Sequence, residues 1–149
     1  MPISELCNRE VVIVKPNDSA LEAAKLMRQH HVGDVVVVEV RDGIRVPVGI
    51  VTDRDLVVEI IAPELDAKAI TVGDFMVSGL VSVKENAGVF EAIEYMRAKG
   101  VRRLPVVNDG GGLVGILTLD DLLELLAEEL QAVAKLVKYE QKKETVSRR

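Results

Sequence analysis

Two short stretches hold the residue types that could do chemistry. Residues 49–55 read Gly-Ile-Val-Thr-Asp-Arg-Asp and residues 115–121 read Gly-Ile-Leu-Thr-Leu-Asp-Asp. Thr52 with Asp55, and Thr118 with Asp121, thus place a hydroxyl and a carboxylate three residues apart. Before an apolar run, Thr-x-x-Asp is first a helix-start signal. The hydroxyl accepts from a first-turn amide, the carboxylate reaches back, and its charge suits the positive end of the helix dipole. The same turn suits a second task. A helix start offers free amides and partial positive charge to a phosphate. The hydroxyl can donate to a phosphate oxygen, and a carboxylate can accept from both vicinal hydroxyls of a ribose. Gly49 and Gly115 would let the backbone pass close to a ligand or to another segment. A single occurrence would be weak evidence, and a matched pair is specific.

The duplication extends well beyond these turns. A shift of about 69 residues aligns the two halves. Val12, Val14, Lys15 and Asn17 meet Val81, Val83, Lys84 and Asn86, and Glu22-Ala23 and Met27-Arg28 meet Glu91-Ala92 and Met96-Arg97. Each half reads as β-α-β-β-α. A short helix at about 3–7 or 71–76 leads to a strand at about 11–14 or 80–83. Ser19-x-x-Glu22 caps a helix at about 19–31, and Gly100 suits the stop of its copy. Turn chemistry at Arg41-Asp42-Gly43 and Asn108-Asp109-Gly110 joins two further strands. The run Val35-Val36-Val37-Val38 suits a strand buried on both faces. One such unit leaves a sheet face uncovered, so the two should pack together. The expected divisions are 1–61 for the first repeat, 62–70 for a short connector, 71–128 for the second repeat and 129–149 for a helical extension and charged tail.

These residues resemble a tandem pair of CBS domains, the cystathionine-β-synthase-type regulatory modules, over residues 3 to about 128. The resemblance rests on the two glycine-to-aspartate stretches. It rests also on Val101-Arg102-Arg103-Leu104-Pro105-Val106-Val107 and Val32-Gly33-Asp34-Val35-Val36-Val37-Val38, which match the family's second strand. It implies an α/β fold in which the repeats pack as a pseudo-symmetric pair. It also implies an adenosyl ligand (AMP, ADP, ATP, NAD or S-adenosylmethionine) between the repeats, acting as a regulatory ligand for a sensor and not as a cofactor for catalysis. Disc-like homodimers and an effector protein outside this chain follow from the same resemblance. Two sites are implied. One uses Thr118 and Asp121 with an adenine wall around Glu10, Val11, Val32 and Gly33. The other uses Thr52 and Asp55 with a wall around Gly79, Leu80, Val101 and Arg102. Arg54 and Arg103 are the implied phosphate partners, since guanidinium pairs phosphate in a bidentate way.

One position departs from an even duplication. Where the second repeat has Arg102-Arg103, the first has Gly33-Asp34. Facing the cleft, Asp34 would repel phosphate or accept from an amino or hydroxyl group. Facing solvent, it would be a plain strand-end residue. Both readings stay open at the level of sequence, and the two sites can differ in ligand. The alternative to a sensor is an assembly module whose ligand sites are vestigial.

Other candidates carry less. His30-His31 ends a helix with no further histidine, and Cys7 is the single cysteine, so a metal site would need ligands converging from elsewhere. Gly110-Gly111-Gly112 lacks the Lys-Ser/Thr of a phosphate-binding loop and reads as a hairpin turn. Asp53 with Asp55 and Asp120 with Asp121 have no companion nucleophile, and no catalytic set is visible.

The bulk properties agree. The chain has 149 residues, 48% of them apolar, no Trp and a net charge of −5. A folded aliphatic core is expected, and the overall charge lacks a nucleic-acid binder's basic footprint. No stretch has membrane-spanning length or a signal-peptide pattern, and a lone cysteine fits a reducing cytoplasm. Leu119, Leu123, Leu126, Leu130, Val133 and Val137 alternate spacings of four and three. They predict a last helix reaching about Lys138, either folded back or in contact with another subunit, and then a fraying basic tail.

Overall fold

In a computed structural model, residues 1–77, 79 and 82–147 are described. The chain divides into two compact units, Met1–Leu117 and Thr118–Arg149. The first holds two three-stranded sheets, ordered β1-β2-β3 and β4-β5-β6. A 3-10 turn at Ile3–Glu5 precedes β1 (Ile13–Val14), α1 (Ala20–His30), β2 (Asp34–Arg41), β3 (Ile44–Thr52) and α2 (Asp53–Leu56). A π-helical segment at Val57–Ile61 extends α2. The second half follows with α3 (Val72–Phe75), β4 (Val83–Lys84), α4 (Val89–Lys99), β5 (Arg103–Val107), β6 (Leu113–Thr118) and α5 (Leu119–Ser147).

Local chemistry accounts for the first repeat's elements. Ser19 Oγ accepts from the Glu22 amide at 3.1 Å and starts α1. His31 ends that helix in the left-handed region, φ 54°. Asp42 and Gly43 both take positive φ, the geometry of a tight hairpin turn between β2 and β3. Strand β2 pairs parallel to β1 and antiparallel to β3. A bulge after Val37 sets Val38 opposite Pro47, a place where a missing amide is tolerated.

The valine run explains why the halves adhere. Val35, Val37 and Val51 face one core with Ala23 and Met27 of α1. Val36, Val38 and Ile50 face the other way, into a core shared with Ile116 and Leu113 of the second sheet. Both faces of β2 are therefore dry, as the unbroken apolar run requires.

The leading segments cross over between repeats. Pro2 bridges Gly88 and Asn8 bridges Ile116, so the first segment lies on the second repeat. Thr71 bridges Ser19 and Val77 bridges Ile50, so the second segment lies on the first repeat. These exchanged bridges join equivalent positions, 69 residues apart for Pro2 and Thr71, Ser19 and Gly88, and Asn8 and Val77, and 66 apart for Ile50 and Ile116. They also explain the two strand glycines. A Cβ on Gly115 would sit 2.7 Å from the Asn8 carbonyl oxygen, and one on Gly49 would sit 2.7 Å from Met76 Sδ. Of the two roles open to these glycines, the structure gives them the approach of another chain segment.

The second unit is dominated by α5, a 29-residue helix. Leu122 is buried, Leu125 is half-buried, and every residue from Leu126 to Ser147 is exposed. The helix runs past Lys138 to Ser147, which corrects the expected fraying. Residues 138–147 are mostly Lys, Glu and Gln, good helix formers, and Thr145 Oγ1 donates to the Gln141 carbonyl one turn back. Among the described residues, no helix is long and apolar enough to cross a membrane.

Candidate functional site

The site grows out of the junction between β3 and α2. Strand β3 ends at Thr52, whose Oγ1 accepts from the Asp55 amide at 3.2 Å while Asp55 Oδ2 accepts from the Thr52 amide at 2.9 Å. This closed box fixes both side chains at the mouth of a cleft of about 270 Å³, close to the lower end of the range for small-molecule sites, about 300 Å³. Ile50, Thr52 and Asp55 come from the first repeat, Val77 and Gly79 from the crossing segment, and Val101, Arg102 and Arg103 from the chain entering β5. The cleft thus has an apolar floor, one hydroxyl, one carboxylate and two guanidinium groups, drawn from both repeats.

The box alone does not make a site. Thr71 and Asp74 repeat the motif at the start of α3, where Asp74 Oδ2 accepts from the Thr71 amide at 3.1 Å, and they line neither this cleft nor the one described next. Thr118 and Asp121 also close a box, Asp121 Oδ2 accepting at 3.1 Å and Thr118 Oγ1 at 3.2 Å, which starts α5. Helix capping is therefore common to all three, and Thr52 and Asp55 also line the cleft of about 270 Å³.

A second cleft of about 620 Å³ is lined by Asn8, Glu10, Val11, Val12, Ile13, Leu26, His30 and Val32. Asn8, Glu10 and Val32 hold positions equivalent to Val77, Gly79 and Val101. Val11 and Val32, two of the residues expected in an adenine wall, line this cleft. Gly33 does not, because its carbonyl accepts the Asp53 amide at 2.9 Å and its α-carbon faces the Asp53 carboxylate.

Thr52, Asp55, Gly79, Val101, Arg102 and Arg103 are brought together. Arg54 is exposed and outside the lining. Neighbouring residues of a helix do not share a face, so turning Asp55 to the cleft turns Arg54 away. Leu80 lies outside the described residues. Ile50 and Val77 line the cleft although sequence reasoning did not select them. Their signal is the strand bridge they share, which depends on the crossed segments. Asp34 is neither loose in solvent nor a bare charge in the cleft: its Oδ2 accepts from Arg103 Nε at 2.8 Å. Among the described residues no cluster of His, Cys, Asp and Glu could hold a metal ion.

A duplicated three-stranded α/β unit, interlocked by exchanged leading segments and clefted between its halves, defines a paired ligand-binding module. The chain belongs to the CBS domain family, which matches residues 3–62 and 72–128. It is 37% identical over 123 residues to an uncharacterized protein of Methanopyrus kandleri, covering 83% of this chain and 61% of that one. The chain thus spans less than two thirds of that relative's length. It is 38% identical over 120 residues to the CBS domain-containing protein YhcV of Bacillus subtilis, covering 80% of this chain and 81% of that protein. Among solved structures it is similar to the CBS domain protein PAE2072 of Pyrobaculum aerophilum complexed with AMP. That match has TM-score 0.73 and 30% identity, and covers 85% of this chain and 99% of that one. Stand-alone CBS pairs are generally regulatory proteins and not enzymes.

Proposed function

We propose that this chain is a sensor that takes an adenine nucleotide in the cleft between its repeats and reports occupancy to an effector protein. The observation that carries this reading is the convergence of Thr52, Asp55, Arg102 and Arg103 on one cleft with an apolar floor. Arg102 and Arg103 suit a phosphate, the Asp55 carboxylate suits the ribose hydroxyls, and Ile50, Val77 and Val101 suit the flat face of a base. The AMP complex of a 30% identical CBS protein supports the ligand class. A ligand touching both repeats favours one arrangement of them over others.

Thermal unfolding with AMP, ADP, ATP, NAD and S-adenosylmethionine tests the reading. A ligand at a hundredfold over its dissociation constant adds about 2.7 kcal/mol, a rise of about 5 °C or more for a chain this size. A rise that Arg102→Ala removes supports the nucleotide site. No rise with any ligand at millimolar concentration refutes it and leaves the assembly reading.

That second reading has its own observation. Leu123, Leu126, Leu130, Val133 and Val137 are 44–71% exposed on α5 at coiled-coil spacing, a pattern that only another helix of the same period matches along its length. A second copy of this chain supplies one. Deleting the residues after Glu128 should lower the mass seen by light scattering, and an unchanged mass would remove α5 from the interface.

A further inference from the structure

Asp34 and Arg103 stand 69 positions apart, the offset of the repeat itself. Each is the other's equivalent, and in a two-fold arrangement a residue that contacts its own equivalent lies on the axis. Two arginines or two aspartates there would repel. One of each forms an ion pair, with the Arg103 side chain 36% and the Asp34 side chain 20% exposed. The departure of Gly33-Asp34 from Arg102-Arg103 thus sets opposite charges where the halves meet.

The pair also changes the cleft. Arg103 lines it, yet its Nε is committed to Asp34. Phosphate that reaches Arg103 approaches a guanidinium already sharing its charge with a carboxylate. Two guanidiniums are then offset by two carboxylates, Asp55 in the lining and Asp34 paired to Arg103.

We infer that Asp34 is the charge-selecting residue of this cleft: by holding Arg103 it favours a nucleoside monophosphate and disfavours di- and triphosphates. This deepens the proposed nucleotide reading and rests on it. The physical basis is that repulsion from a fixed carboxylate grows with each phosphate added to the ligand, while one guanidinium edge satisfies two oxygens of a single phosphate.

The test is calorimetric titration of the full chain with adenosine, AMP, ADP and ATP, in wild type and Asp34→Asn. Wild type should bind AMP more tightly than ATP, and the reverse order overturns the inference without any variant. Asp34→Asn should tighten AMP about fivefold and ATP more than about tenfold, with adenosine unchanged. An equal change for all four ligands, or none, overturns the inference while leaving the nucleotide site standing. Wild type binding none of the four overturns both. The pair is partly solvated, so its loss should leave the fold intact. Asp34→Ser gives the same ladder of ligands should the Asn variant fail to fold.

Discussion

The cleft at Arg102 and Arg103 and the cleft at Glu10 and Val32 share three pairs of equivalent positions of one duplicated unit and differ in the rest of their linings, so they offer different chemistry. Val77, Gly79 and Val101 of the first correspond to Asn8, Glu10 and Val32 of the second. The first presents guanidinium groups and the second presents a carboxylate, an amide and His30. Backbone packing keeps the two halves alike because both faces of β2 and the exchanged segments must stay buried. Cleft side chains are free of that constraint, so they can diverge. Under the proposed function, the comparison assigns the phosphate of the nucleotide to the cleft with the guanidinium groups.

The largest expected effect separates the two clefts directly. Asp55→Ala removes a charged acceptor from the first cleft, and hydrogen bonds to charged groups contribute about 1.5–3 kcal/mol each. AMP affinity measured by titration should fall about a hundredfold. Glu10→Ala, in the second cleft, should leave it within about twofold. Equal losses would mean that the clefts act as one site, and the contrast drawn between them would fail. Asp55→Ala also opens a capping box, so its melting temperature should drop by the equivalent of about 1 kcal/mol. Measured without ligand, that drop reports the structural loss alone, and the wider gap from wild type with AMP present adds the binding loss.

The next effect compares the two strand glycines. Alanine at 115 drives Cβ into backbone and sulfur, the Asn8 carbonyl oxygen at 2.7 Å and Cys7 Sγ at 2.8 Å. The bridge it disturbs has both Asn8–Ile116 hydrogen bonds at 2.9 Å. Gly115→Ala should cost about 2–3 kcal/mol. At Gly49 the atoms met belong to the Met76 side chain, which can rotate away. Gly49→Ala should cost about 1 kcal/mol or less. Denaturant unfolding of the pair of variants checks the ranking, and equal costs would mean that the Asn8 segment yields as easily as a methionine side chain.

These contrasts mark what the sequence made legible. The repeat offset, the box at Thr52 and Asp55, the turn at Asp42-Gly43 and the double-faced burial of Val35–Val38 all follow from local chemistry or from period. The cleft itself was legible in part. Asp55, Val101, Arg102 and Arg103 were selected through the family pattern, whereas Ile50 and Val77 were missed. The direction of Asp34 was not legible, because it depends on a partner 69 positions away. Nor was the crossing of the leading segments, which makes Gly49 and Gly115 answer to Met76 and Asn8. Local sequence carries no mark of which repeat a short connecting segment will lie on. The length of α5 was underestimated because a polar, charged tail signals solvent exposure, and exposure is compatible with helix as well as with fraying.

The smallest expected effect transplants a feature of the first repeat onto the second. Helix α1 is capped by Ser19, whereas its equivalent at the start of α4 is Gly88, which offers no side-chain cap. Gly88 has φ −79° and ψ 158°, nearly the backbone of Ser19 at −75° and 156°. A Cβ there meets nothing within 4 Å. A serine can therefore adopt the native conformation, accept from the Glu91 amide as Ser19 does from Glu22, and restrict the unfolded chain. Serine exceeds glycine at this position by a few tenths of a kcal/mol, and the loss of unfolded freedom adds about 0.4 kcal/mol or more. Gly88→Ser should raise the melting temperature by about 1–3 °C and leave AMP affinity unchanged. A fall in melting temperature would mean that the Pro2–Gly88 bridge holds the chain more tightly than its backbone angles suggest. The two repeats would then differ in packing at their helix starts as well as in cleft charge.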